Sequence, residues 1–350
     1  MKALIAAGGT AGHVVPALAV ADALRADGDE VVFAGGERAE AELVPKAGYE
    51  LRRLDVHGIS RSNPVKAARA VLKAGGAFVT ARGMLRAERP DVVMGGGGYV
   101  SGPVGAAAVL ARVPLVLTEA DSHMGLSNRA LARFARRVCL AFPIDGRDGR
   151  RYLVTGRPVP PPVTDRRAAR ERFGLHEDDT CVLVFGGSLG ARSINEAAIE
   201  AFAGASFHVL HACGPRDYAA LRSRVPPANY DLREYITPFG DALVASDLCV
   251  ARAGGSIFEI AAHGRPALLI PYPHATADHQ TANARWMERA GAAVVLPDAD
   301  LTAERLAREV AELLGDPNRL RAMGRASAGL ARPDAAQVIA GELVAAARER

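Results

Sequence analysis

Cysteine is scarce in this sequence, and the cysteines present form no recognisable site. The four of them lie far apart among 350 residues, without a CxxC pair. At least three fall in apolar, strand-like runs, so we interpret them as small core residues of a protein kept in a reducing compartment. Metal ligands are not clustered either, because Asp298 and Asp300 look like part of a surface turn. We therefore expect no metal site.

Long hydrophobic runs are also lacking. A membrane-spanning helix needs roughly 18 or more consecutive apolar residues, and the longest candidate, residues 104–117, is interrupted by Arg112 and Pro114. We therefore expect no transmembrane segment. The N-terminus has one lysine and an apolar stretch, but its glycine-rich loop fits a first strand and helix better than a signal peptide.

Two common nucleotide-binding motifs are missing. The pattern G-x-x-x-x-G-K-[ST] does not occur, which excludes a P-loop NTPase. A dinucleotide-binding dehydrogenase would have G-x-G-x-x-G and an acidic residue that closes the second strand. Here the first loop reads GGTAGH at 8–13, and the second strand ends in AGG at 34–36. NAD binding is therefore disfavoured.

What remains has the composition of an ordinary globular protein, with 49% hydrophobic and 23% charged residues. In the first half, apolar runs of strand length at 2–7, 30–34, 92–94 and 115–117 alternate with helical patterns at 14–26, 38–47, 65–86 and 102–111. This alternation indicates a parallel sheet covered by helices on both faces. Prolines cluster at 156–163, which we interpret as a linker, and the alternation restarts at Cys181.

The sequence therefore predicts an α/β protein with two doubly wound, Rossmann-like domains that face each other across a cleft. We place the domains at 1–157 and 158–333, followed by a C-terminal helix, 334–350, that can pack back on the first domain. An apolar run, a glycine-rich turn and a helix occur at 3–13 and again at 183–192. Because glycines allow close approach and a helix N-terminus favours anions, each turn can hold a phosphate-bearing ligand.

Two turns in the second half carry candidate nucleotide ligands. Gly187 and Ser188 can offer an N–H group and a hydroxyl to a diphosphate. The next strand–glycine–helix turn contains Gly255 and Ser256, and Ser256 either caps the helix or binds phosphate. Glu259 either accepts bonds from a ribose diol or is a first-turn acid favoured by the helix dipole.

Polar side chains that can read sugar hydroxyls follow the next buried strand. Asp278 can equally be the N-cap of a helix. Gln280 and Asn283 have no such structural explanation, so they are the stronger candidates for ligand contacts.

The net charge of +4 is small but unevenly distributed. One stretch of nine basic residues contains only Asp55 and Glu88 as acids. This stretch is either an ordinary solvated surface or a patch for phosphates or anionic lipid head groups, where each basic residue contributes about 1 kcal/mol. The basic residues are Arg52, Arg53, Arg61, Lys66, Arg69, Lys73, Arg82, Arg86 and Arg89.

Several motifs in a fixed order resemble a known family. Residues 8–21 read GGTAGHVVPALAVA. This is close to the pattern G-G-T-G-G-H-x-x-P-A-L-A-[VI]-A of the MurG family, the UDP-N-acetylglucosamine transferases that convert lipid I to lipid II in peptidoglycan synthesis. Further matches run along almost the whole chain: GGYVSGP at 97–103, GLSNR at 125–129, GGSLGAR at 186–192, Arg252-Ala253-Gly254 with Glu259, and Asp278-His279-Gln280 with Asn283.

The resemblance implies a GT-B glycosyltransferase fold and a second domain that binds UDP-GlcNAc. In that domain, the Gly187–Ser188 loop would contact the diphosphate and Glu259 the ribose. Ile236 would meet the uracil, and Gln280 the GlcNAc hydroxyls.

The resemblance also implies that the first domain holds lipid I. Its loop, with Thr10, Ala11 and Gly12, would lie against the diphosphate of the acceptor or the sugar being transferred. The basic stretch would then bind the inner leaflet, which places the protein peripherally at the cytoplasmic face of the cell membrane. Other cell-wall synthesis proteins are candidate partners, and we expect no nucleic acid. Lipid II synthesis would link the chain to cell shape and cell division.

The implied reaction is an inverting hexosyl transfer to the MurNAc C4 hydroxyl of undecaprenyl-pyrophosphoryl-MurNAc-pentapeptide. His13 is the first candidate for the base, because its ordinary pKa of about 6.5 suits proton removal at neutral pH; it can instead bond the backbone or cap its helix. Glu119 is the alternative base or the group that orients the base. Helix dipoles and loop N–H groups can stabilise the leaving diphosphate, so we expect no cofactor and no metal.

The sequence departs from the family pattern in two conserved-looking segments of the first domain. The usual H-E-Q-N is TEAD at 118–121, which places Asp121 where the family has asparagine. The usual G-N-P-V-R is GRPVP at 156–160, so the family's arginine is replaced by Pro160, and Arg157 can substitute for it. By the resemblance, Asp121 and Pro160 fall at donor-contact positions, so the details of donor binding, and the acceptor, can differ from those of the family, whereas the fold should not.

Two smaller departures concern the glycine loops. Ala11 replaces a glycine of the first loop, and the turn at 252–259 is one residue shorter than in the family.

Three other functions remain open. One is a GT-B glycosyltransferase with a different acceptor, and another is a sugar-nucleotide epimerase that needs no acceptor. The third is a nucleotide-sugar sensor or membrane-associated scaffold without catalysis, which the joint presence of His13, Glu119 and the donor motif disfavours. A transfer assay with UDP-GlcNAc and a lipid I analogue separates these possibilities.

Overall fold

The protein, described here by a computed structural model, folds into two compact units. The structure describes residues 1–55, 64–225 and 229–349, and the backbone alone for 64–74. One unit comprises Met1–Pro160 with Arg332–Arg350, and the other Pro161–Ala331. Within the basic stretch, Arg61 lies outside the described residues, as do the side chains of Lys66, Arg69 and Lys73.

The first unit contains a parallel sheet of seven strands in its described part. Their spatial order is β3-β2-β1-β4-β5-β6-β7, and every neighbouring pair is parallel. The strands are β1 (Lys2–Ala6), β2 (Glu30–Gly35), β3 (Glu50–Arg53), β4 (Val92–Gly95), β5 (Leu115–Glu119), β6 (Arg137–Leu140) and β7 (Tyr152–Val154).

Helices connect these strands and cover the sheet. They are α1 (Ala11–Ala26), α2 (Ala39–Lys46), α3 (Pro64–Glu88), α4 (Gly98–Leu110) and α5 (Leu126–Leu131), with a 3-10 turn at Ala132–Phe134. Parallel strands require such crossovers, and the strands at the centre of the sheet are buried because helices lie on both faces.

The second unit repeats the arrangement with six parallel strands among the residues described. Their order is β10-β9-β8-β11-β12-β13. The strands are β8 (Cys181–Phe185), β9 (His208–Ala212), β10 (Tyr230–Arg233), β11 (Leu248–Ala251), β12 (Ala267–Leu269) and β13 (Ala293–Val295). The helices are α6 (Arg166–Arg172), α7 (Arg192–Ala201), α8 (Pro215–Leu221), α9 (Phe239–Ala245), α10 (Ile257–Ala262), α11 (His279–Arg289), α12 (Ala303–Leu314) and α13 (Pro317–Leu330).

The last helix, α14 (Ala335–Arg348), belongs to the first unit. It packs along α1, and its buried residues Ile339 and Leu343 share a core cluster with Val20 and Leu24. The first unit is therefore built from two separate parts of the chain.

The prediction of two doubly wound, Rossmann-like α/β domains is confirmed. In each sheet the strand order reverses beside the first strand of the unit, next to β1 and next to β8. Open α/β sheets bind ligands at such a reversal, beyond the carboxyl ends of the strands. Each glycine-rich loop found in the sequence follows one of these first strands. All four cysteines are buried and free, as the sequence predicts.

Candidate active site

The first glycine loop lies between β1 and α1. Gly9 has a φ of +111°, which is unfavourable for residues with a side chain. Thr10 is the N-cap residue of α1 and has extended backbone angles, and Ala11 and Gly12 begin the helix. The first N–H groups of a helix have no partner within it, so this end of α1 can bind an anion.

His13 lies in the first turn of α1 and is half-buried. Its Nδ1 is 3.4 Å from Oγ1 of Thr10. Its ring packs against Gly97, where a Cβ atom would lie only 2.6 Å from Cδ2 of His13. Among the described residues, the ring hydrogen-bonds Thr10 alone, so the alternatives of a bond to the backbone or a helix cap are not observed.

The surroundings of His13 favour its neutral form. Burial lowers the pKa of His13; the carboxylate of Asp121 acts in the opposite direction, the guanidinium of Arg157 lowers the pKa further, and Glu40 raises it. An imidazole that is neutral near pH 7 can accept a proton.

Glu119, at the end of β5, is only 7% exposed. Its Oε2 accepts hydrogen bonds from the amide of Gly125 (2.8 Å) and from Nδ2 of Asn128 (2.9 Å), and its Oε1 accepts one from the amide of Asp121 (3.3 Å). Burial raises the pKa of Glu119, against the effect of these bonds. In the part of the chain described, it makes no bond to His13, so its contacts suit a group that shapes the loop after β5.

Arg157 approaches the same helix end from the segment after β7. Its Nη2 donates to the carbonyl oxygen of Gly12 over 2.6 Å. Together with Thr118, Ala120 and Pro158, the residues Gly12, His13 and Arg157 line a small pocket of the first unit. Arg157, which the sequence offers as a substitute for the family's arginine, therefore lies at the same helix end as His13.

The corresponding loop of the second unit follows β8. Gly187 has a φ of +95° and Gly190 a φ of +76°. Ser188 is exposed at the tip, and α7 begins directly after the loop at Arg192. A Cβ atom at Gly190 would overlap the carbonyl oxygen of Cys213, so only glycine fits there. The loop presents N–H groups, a hydroxyl and a helix N-terminus in one place, which suits a diphosphate.

A buried polar network lies beside this loop. Nδ2 of Asn195 donates to Asp217 (2.9 Å), so its Oδ1 is an acceptor and must receive its bond from Nε2–H of His211 (3.0 Å). The second ring nitrogen of His211 is then an acceptor for the hydroxyl of Tyr230 (2.7 Å). Asp217 also receives two bonds from Arg192 at the start of α7. The network thereby ties the helix end after the loop to β9 and β10.

The second turn of this unit follows β11 and is held by Arg252. Its Nη1 donates to the carbonyl oxygens of Ile270 and Pro271 (both 3.1 Å) and to Asp298 (2.5 Å), and its Nη2 donates to Ser193 (2.7 Å). Asp298 was interpreted from the sequence as part of a surface turn. It lies in a 3-10 turn, Asp298–Asp300, and fastens Arg252.

Gly255, Ser256 and Glu259 lie at the start of α10. Ser256 is its N-cap residue, but its side chain makes no capping hydrogen bond, so the capping alternative is not observed. Glu259 lies in the first turn of the helix. That position agrees with both alternatives, a ribose contact and a favourable interaction with the helix dipole.

Gln280 and Asn283 lie on α11 but have different surroundings. Oε1 of Gln280 accepts from the amide of Tyr272 (3.0 Å), and a Cβ atom at Gly254 would lie 3.8 Å from its Nε2. Asn283 is 2% exposed, and its Nδ2 donates to the carbonyl oxygen of Ala253 (3.0 Å). Asn283 therefore has a structural explanation that the sequence did not reveal, since it holds the turn before α10.

Two further predicted residues differ in exposure, since Asp278 is exposed and Ile236 is buried. Asp278 is the N-cap residue of α11 but makes no side-chain capping bond; its carboxylate accepts from the hydroxyl of Thr281 (2.7 Å). Ile236 follows β10 and is only 6% exposed. A ligand could meet no more than a small part of its side chain in this arrangement.

Neither a metal site nor a membrane-spanning helix is found in the described ranges, 1–55, 64–225 and 229–349. No group of three or more His, Cys, Asp or Glu side chains there could hold a metal ion. No helix in these ranges is long and apolar enough to cross a membrane.

Comparison with known proteins identifies the family. Residues 3–140 match the N-terminal domain of glycosyltransferase family 28, and residues 181–339 match the C-terminal domain of that family. The chain is 43% identical to a UDP-N-acetylglucosamine--N-acetylmuramyl-(pentapeptide) pyrophosphoryl-undecaprenol N-acetylglucosamine transferase of Moorella thermoacetica, over 97% of each chain. The chain belongs to this transferase family.

Two more members support the assignment. A transferase of the same name from Halorhodospira halophila is 43% identical over 96% of each chain. The crystal structure of MurG from Acinetobacter baumannii is 29% identical and has a TM-score of 0.79, covering 98% of this chain and 99% of that one. The resemblance to the MurG family and the GT-B fold predicted from the motifs are confirmed, and the chain is a glycosyltransferase.

The departures from the family pattern can now be placed in the structure. Pro160 is exposed and has no side-chain donor, whereas the guanidinium of Arg157 contacts the helix end beside His13. The charge of Asp121 acts on His13. Both changes therefore alter the charges at one end of the first sheet and leave the strand order unaffected.

Sequence reasoning missed several residues that shape the site. Tyr99 lies in the GGYVSGP motif at 97–103, and Asn195 lies three residues after the GGSLGAR motif at 186–192. A closer reading of these two motifs could therefore have identified both residues. Glu40, His211 and Asp217 carry no motif signal, because their positions depend on strands and loops far apart in the sequence.

Proposed function

We propose that this chain transfers GlcNAc from UDP-GlcNAc to the C4 hydroxyl of MurNAc in undecaprenyl-pyrophosphoryl-MurNAc-pentapeptide, and so makes lipid II from lipid I. The observation that carries the proposal is the setting of His13. It is a half-buried imidazole in the first turn of a helix that follows a glycine loop. This setting occurs in a chain that is 43% identical, along nearly its whole length, to a transferase named for these substrates.

The second unit binds the donor in this proposal. Gly187 and Ser188 hold the diphosphate, with the N-terminus of α7 behind them. Gly255, Ser256 and Glu259 contact the phosphate and the ribose, and Ile236 lies next to the uracil. Gln280 reads the GlcNAc hydroxyls, and Asn283 acts by holding the turn at Ala253.

The first unit binds the acceptor, with Thr10, Ala11 and Gly12 against its diphosphate or the sugar being transferred. Nε2 of His13 takes the proton of the C4 hydroxyl while Nδ1–H faces Thr10. The hydroxyl oxygen attacks the anomeric carbon of GlcNAc from the side opposite UDP. The bond between this carbon and the UDP oxygen breaks, and its electron pair stays on UDP. One such displacement inverts the anomeric carbon. Glu119 shapes the loop that carries Asp121.

Charge on the departing UDP is stabilised by amide groups in this mechanism. The loop N–H groups and the N-terminal end of α7 are fixed donors, and such donors stabilise developing negative charge without reorganisation. We therefore propose that transfer needs no metal. Turnover in excess EDTA should equal turnover without it, and a loss that Mg²⁺ restores would contradict this point.

Membrane contact is proposed for the first unit. On α3, Val79 is 69% exposed and Arg86 is also exposed. Arg52 of the basic stretch is less available, because it pairs with Glu50 and Glu88. An exposed apolar residue and a cation two helical turns apart on the same face of α3 suit the surface of an anionic bilayer, because apolar burial and attraction to anionic lipids both favour binding. The contact would be peripheral and on the cytoplasmic face, as the acceptor requires, and other cell-wall synthesis proteins could share it.

Sedimentation with vesicles tests this contact. The protein should bind vesicles of phosphatidylglycerol more than vesicles of phosphatidylcholine. The double variant V79D/R86E should lose this binding, whereas R321E, at an exposed position of the second unit, should retain it. Equal loss in both variants would contradict a specific surface on α3.

The transfer reaction is tested with labelled UDP-GlcNAc and a lipid I analogue. The wild-type chain should form a lipid II-like product, and H13A should lower kcat by about 10²–10⁴-fold, the usual contribution of a general base. H176A, which removes an exposed histidine, is the matched control and should leave kcat unchanged. Absence of product with lipid I but transfer to another acceptor would establish the alternative glycosyltransferase; near-normal turnover of H13A would exclude His13 as the base.

A further inference from the structure

A buried carboxylate connects three loops at the carboxyl end of the first sheet. Glu40, on the first turn of α2, is fully buried. Its Oε2 accepts from the amide of Gly9 (2.8 Å), and its Oε1 accepts from the amide of Gly36 (2.9 Å) and the hydroxyl of Tyr99 (2.5 Å). These donors lie after β1, β2 and β4, which are neighbours in the sheet. One side chain therefore fixes the ends of three adjacent strands.

The glycines around Glu40 leave room for its side chain. A Cβ atom at Gly8 would lie 2.8 Å from Oε1 of Glu40, and one at Gly35 would lie 2.8 Å from its Cγ. Real Cβ atoms do not approach other heavy atoms so closely, and backbone cannot easily move at the end of a buried strand. The glycines at positions 8 and 35 are therefore explained by the space that the Glu40 side chain occupies, as well as by the close approach of an external ligand.

Tyr99 connects Glu40 to His13. The turn before Tyr99 packs onto the first loop, because a Cβ atom at Gly98 would overlap the carbonyl oxygen of Gly8. Gly97 of the same turn lies against the ring of His13. Arg38 stacks over the ring of Tyr99 at 5.2 Å and covers it from the side of α2. Glu40 thus contacts both segments that surround His13, the first loop directly and the second turn through Tyr99.

Glu40 remains charged in this position. Burial alone would raise the pKa of Glu40, but hydrogen bonds from Tyr99 and from the amides of Gly9 and Gly36 outweigh it and hold the pKa below its usual range. Its negative charge favours protonation of His13, as that of Asp121 does, and Arg157 acts in the opposite direction.

We propose that Glu40 is a positioning residue of the transfer reaction, which holds the first loop and the Gly97–Tyr99 turn so that His13 meets the acceptor hydroxyl. This inference rests on the proposed role of His13. Glu40 touches neither substrate nor the reacting atoms, and acts through Gly9 and Tyr99. Donor binding by the second unit is independent of it.

The variant E40Q tests the proposal with little change in shape. An amide has one acceptor oxygen, so its NH₂ group must face at least one of the three donors. We expect kcat of E40Q to fall by about 10-fold or more, since small misplacements of a catalytic group cost up to about 10²-fold. KM for UDP-GlcNAc should stay unchanged. E42Q alters an exposed acid on the same helix and should match the wild type in both constants.

Titration of His13 by NMR gives a readout that does not need turnover. Removing the charge of Glu40 should lower the pKa of His13 in E40Q and shift the acid limb of the pH–rate profile in the same direction, whereas E42Q should show neither change. Unchanged kcat and His13 pKa in folded E40Q would overturn the proposal. Failure of the wild type to transfer GlcNAc would refute the proposed function instead, and the NMR shift would still report the effect of the Glu40 charge on His13.

Y99F covers the case in which E40Q does not fold. It keeps the charge of Glu40 and removes one of its three donors. We expect a smaller fall in kcat, with KM for UDP-GlcNAc and the pKa of His13 unchanged. A kcat equal to that of the wild type would show that the connection through Tyr99 does not position His13, and would overturn the proposal.

Discussion

The pKa values of two histidines, His13 and His211, are lowered in different settings. Burial lowers the pKa of both His13 and His211. His211 has no exposed surface, and its two ring nitrogens are bonded to Tyr230 and Asn195. His13 is half-buried, and only its Nδ1 has a hydrogen-bond partner in the described part of the chain. A free, accessible nitrogen, rather than the pKa alone, distinguishes a candidate base from a structural histidine.

The pH dependence of transfer follows from the environment of His13. Since its pKa lies below the ordinary value of about 6.5, the imidazole stays neutral to lower pH than in a free peptide. A profile of kcat/KM against pH should therefore lose activity on the acid side only below about pH 6.5. An acid limb centred above that value would contradict the assignment of His13 as a buried base.

The fully buried His211 should make stability depend on pH. The fold holds its pKa near 3, below the value of about 6.5 in an unfolded chain, so the unfolded state binds more protons. This contribution to stability is complete above about pH 6.5 and is lost as the pH falls towards 3. The variant H211F should lack this part of the pH dependence. It should also be destabilised by about 1–3 kcal/mol at pH 7.5, because Asn195 and Tyr230 lose their partner.

Urea unfolding of wild type, H211F and H176A at pH 7.5 and pH 5 measures both effects. H176A changes an exposed histidine and should follow the wild type. If H211F lost as much stability between the two pH values as the wild type, the buried network would not be the source of the effect.

Among the helices and strands, those at the sheet centres are predictable from sequence and those at the edges are not. The sequence predicts β1, β2, β4, β5 and β8, which are short apolar runs with helices on both sides. It predicts neither the edge strands β3, β7, β10 and β13 nor β6, which lies beside the edge strand β7. An edge strand pairs on one side only and has less buried surface, so it can carry residues such as Glu50, Arg52 and Arg53 and shows no continuous apolar run.

Helix starts at glycine turns are also poorly marked in the sequence. Helix α4 is predicted from Gly102 but begins at Gly98. Glycine lowers helix propensity, so the pattern alone suggests a loop. Packing of the Gly97–Gly98 turn on Gly8 and His13 decides the start instead. The motifs therefore indicate candidate ligand sites, while the side chains that hold those motifs in place depend on contacts distant in the sequence.

The turn before α4 gives a test at the scale of one element. In G98A, the new Cβ atom would overlap the carbonyl oxygen of Gly8, at a residue with a φ of +74°. We expect a loss of more than about 1 kcal/mol of stability and a fall in kcat, because the first loop must shift. G83A is the matched control: Gly83 is exposed on α3 with open space around its Cβ position.

Replacing a helical glycine by alanine in open space should stabilise the protein by about 0.5–1 kcal/mol. Urea unfolding should thus give changes of opposite sign for G83A and G98A. Stability changes of the same sign would show that the turn tolerates a side chain and that its glycines are not required by packing.

At the scale of the whole molecule, the first unit depends on both ends of the sequence. Residues of α14 are buried in the same cluster as β1, β2 and α1. The sequence predicts a C-terminal helix at 334–350 that can pack back on the first domain, and α14 packs there. Whether the acceptor binds the first unit and the donor the second remains a prediction.

Truncation of one side chain in α14 measures its contribution. Leu343 is fully buried, so L343A should destabilise the protein by about 2–5 kcal/mol, through lost burial and a cavity. A345S, at an exposed position of the same helix, should change stability by less than about 0.5 kcal/mol. Calorimetry of the full-length chain should show the loss in L343A alone. Equal unfolding curves would mean that α14 adds little to the first core.

Because α14 belongs to the first unit, the second unit can complete its fold before the first during synthesis. Domains generally fold as units as they leave the ribosome, N-terminal first. Here residues 161–331 complete their own unit before residues 335–348 have been made. The first unit, although most of it is translated first, can therefore complete its core only after α14 has been made. If synthesis stops before α14, the released chain has a first unit with an uncovered apolar face.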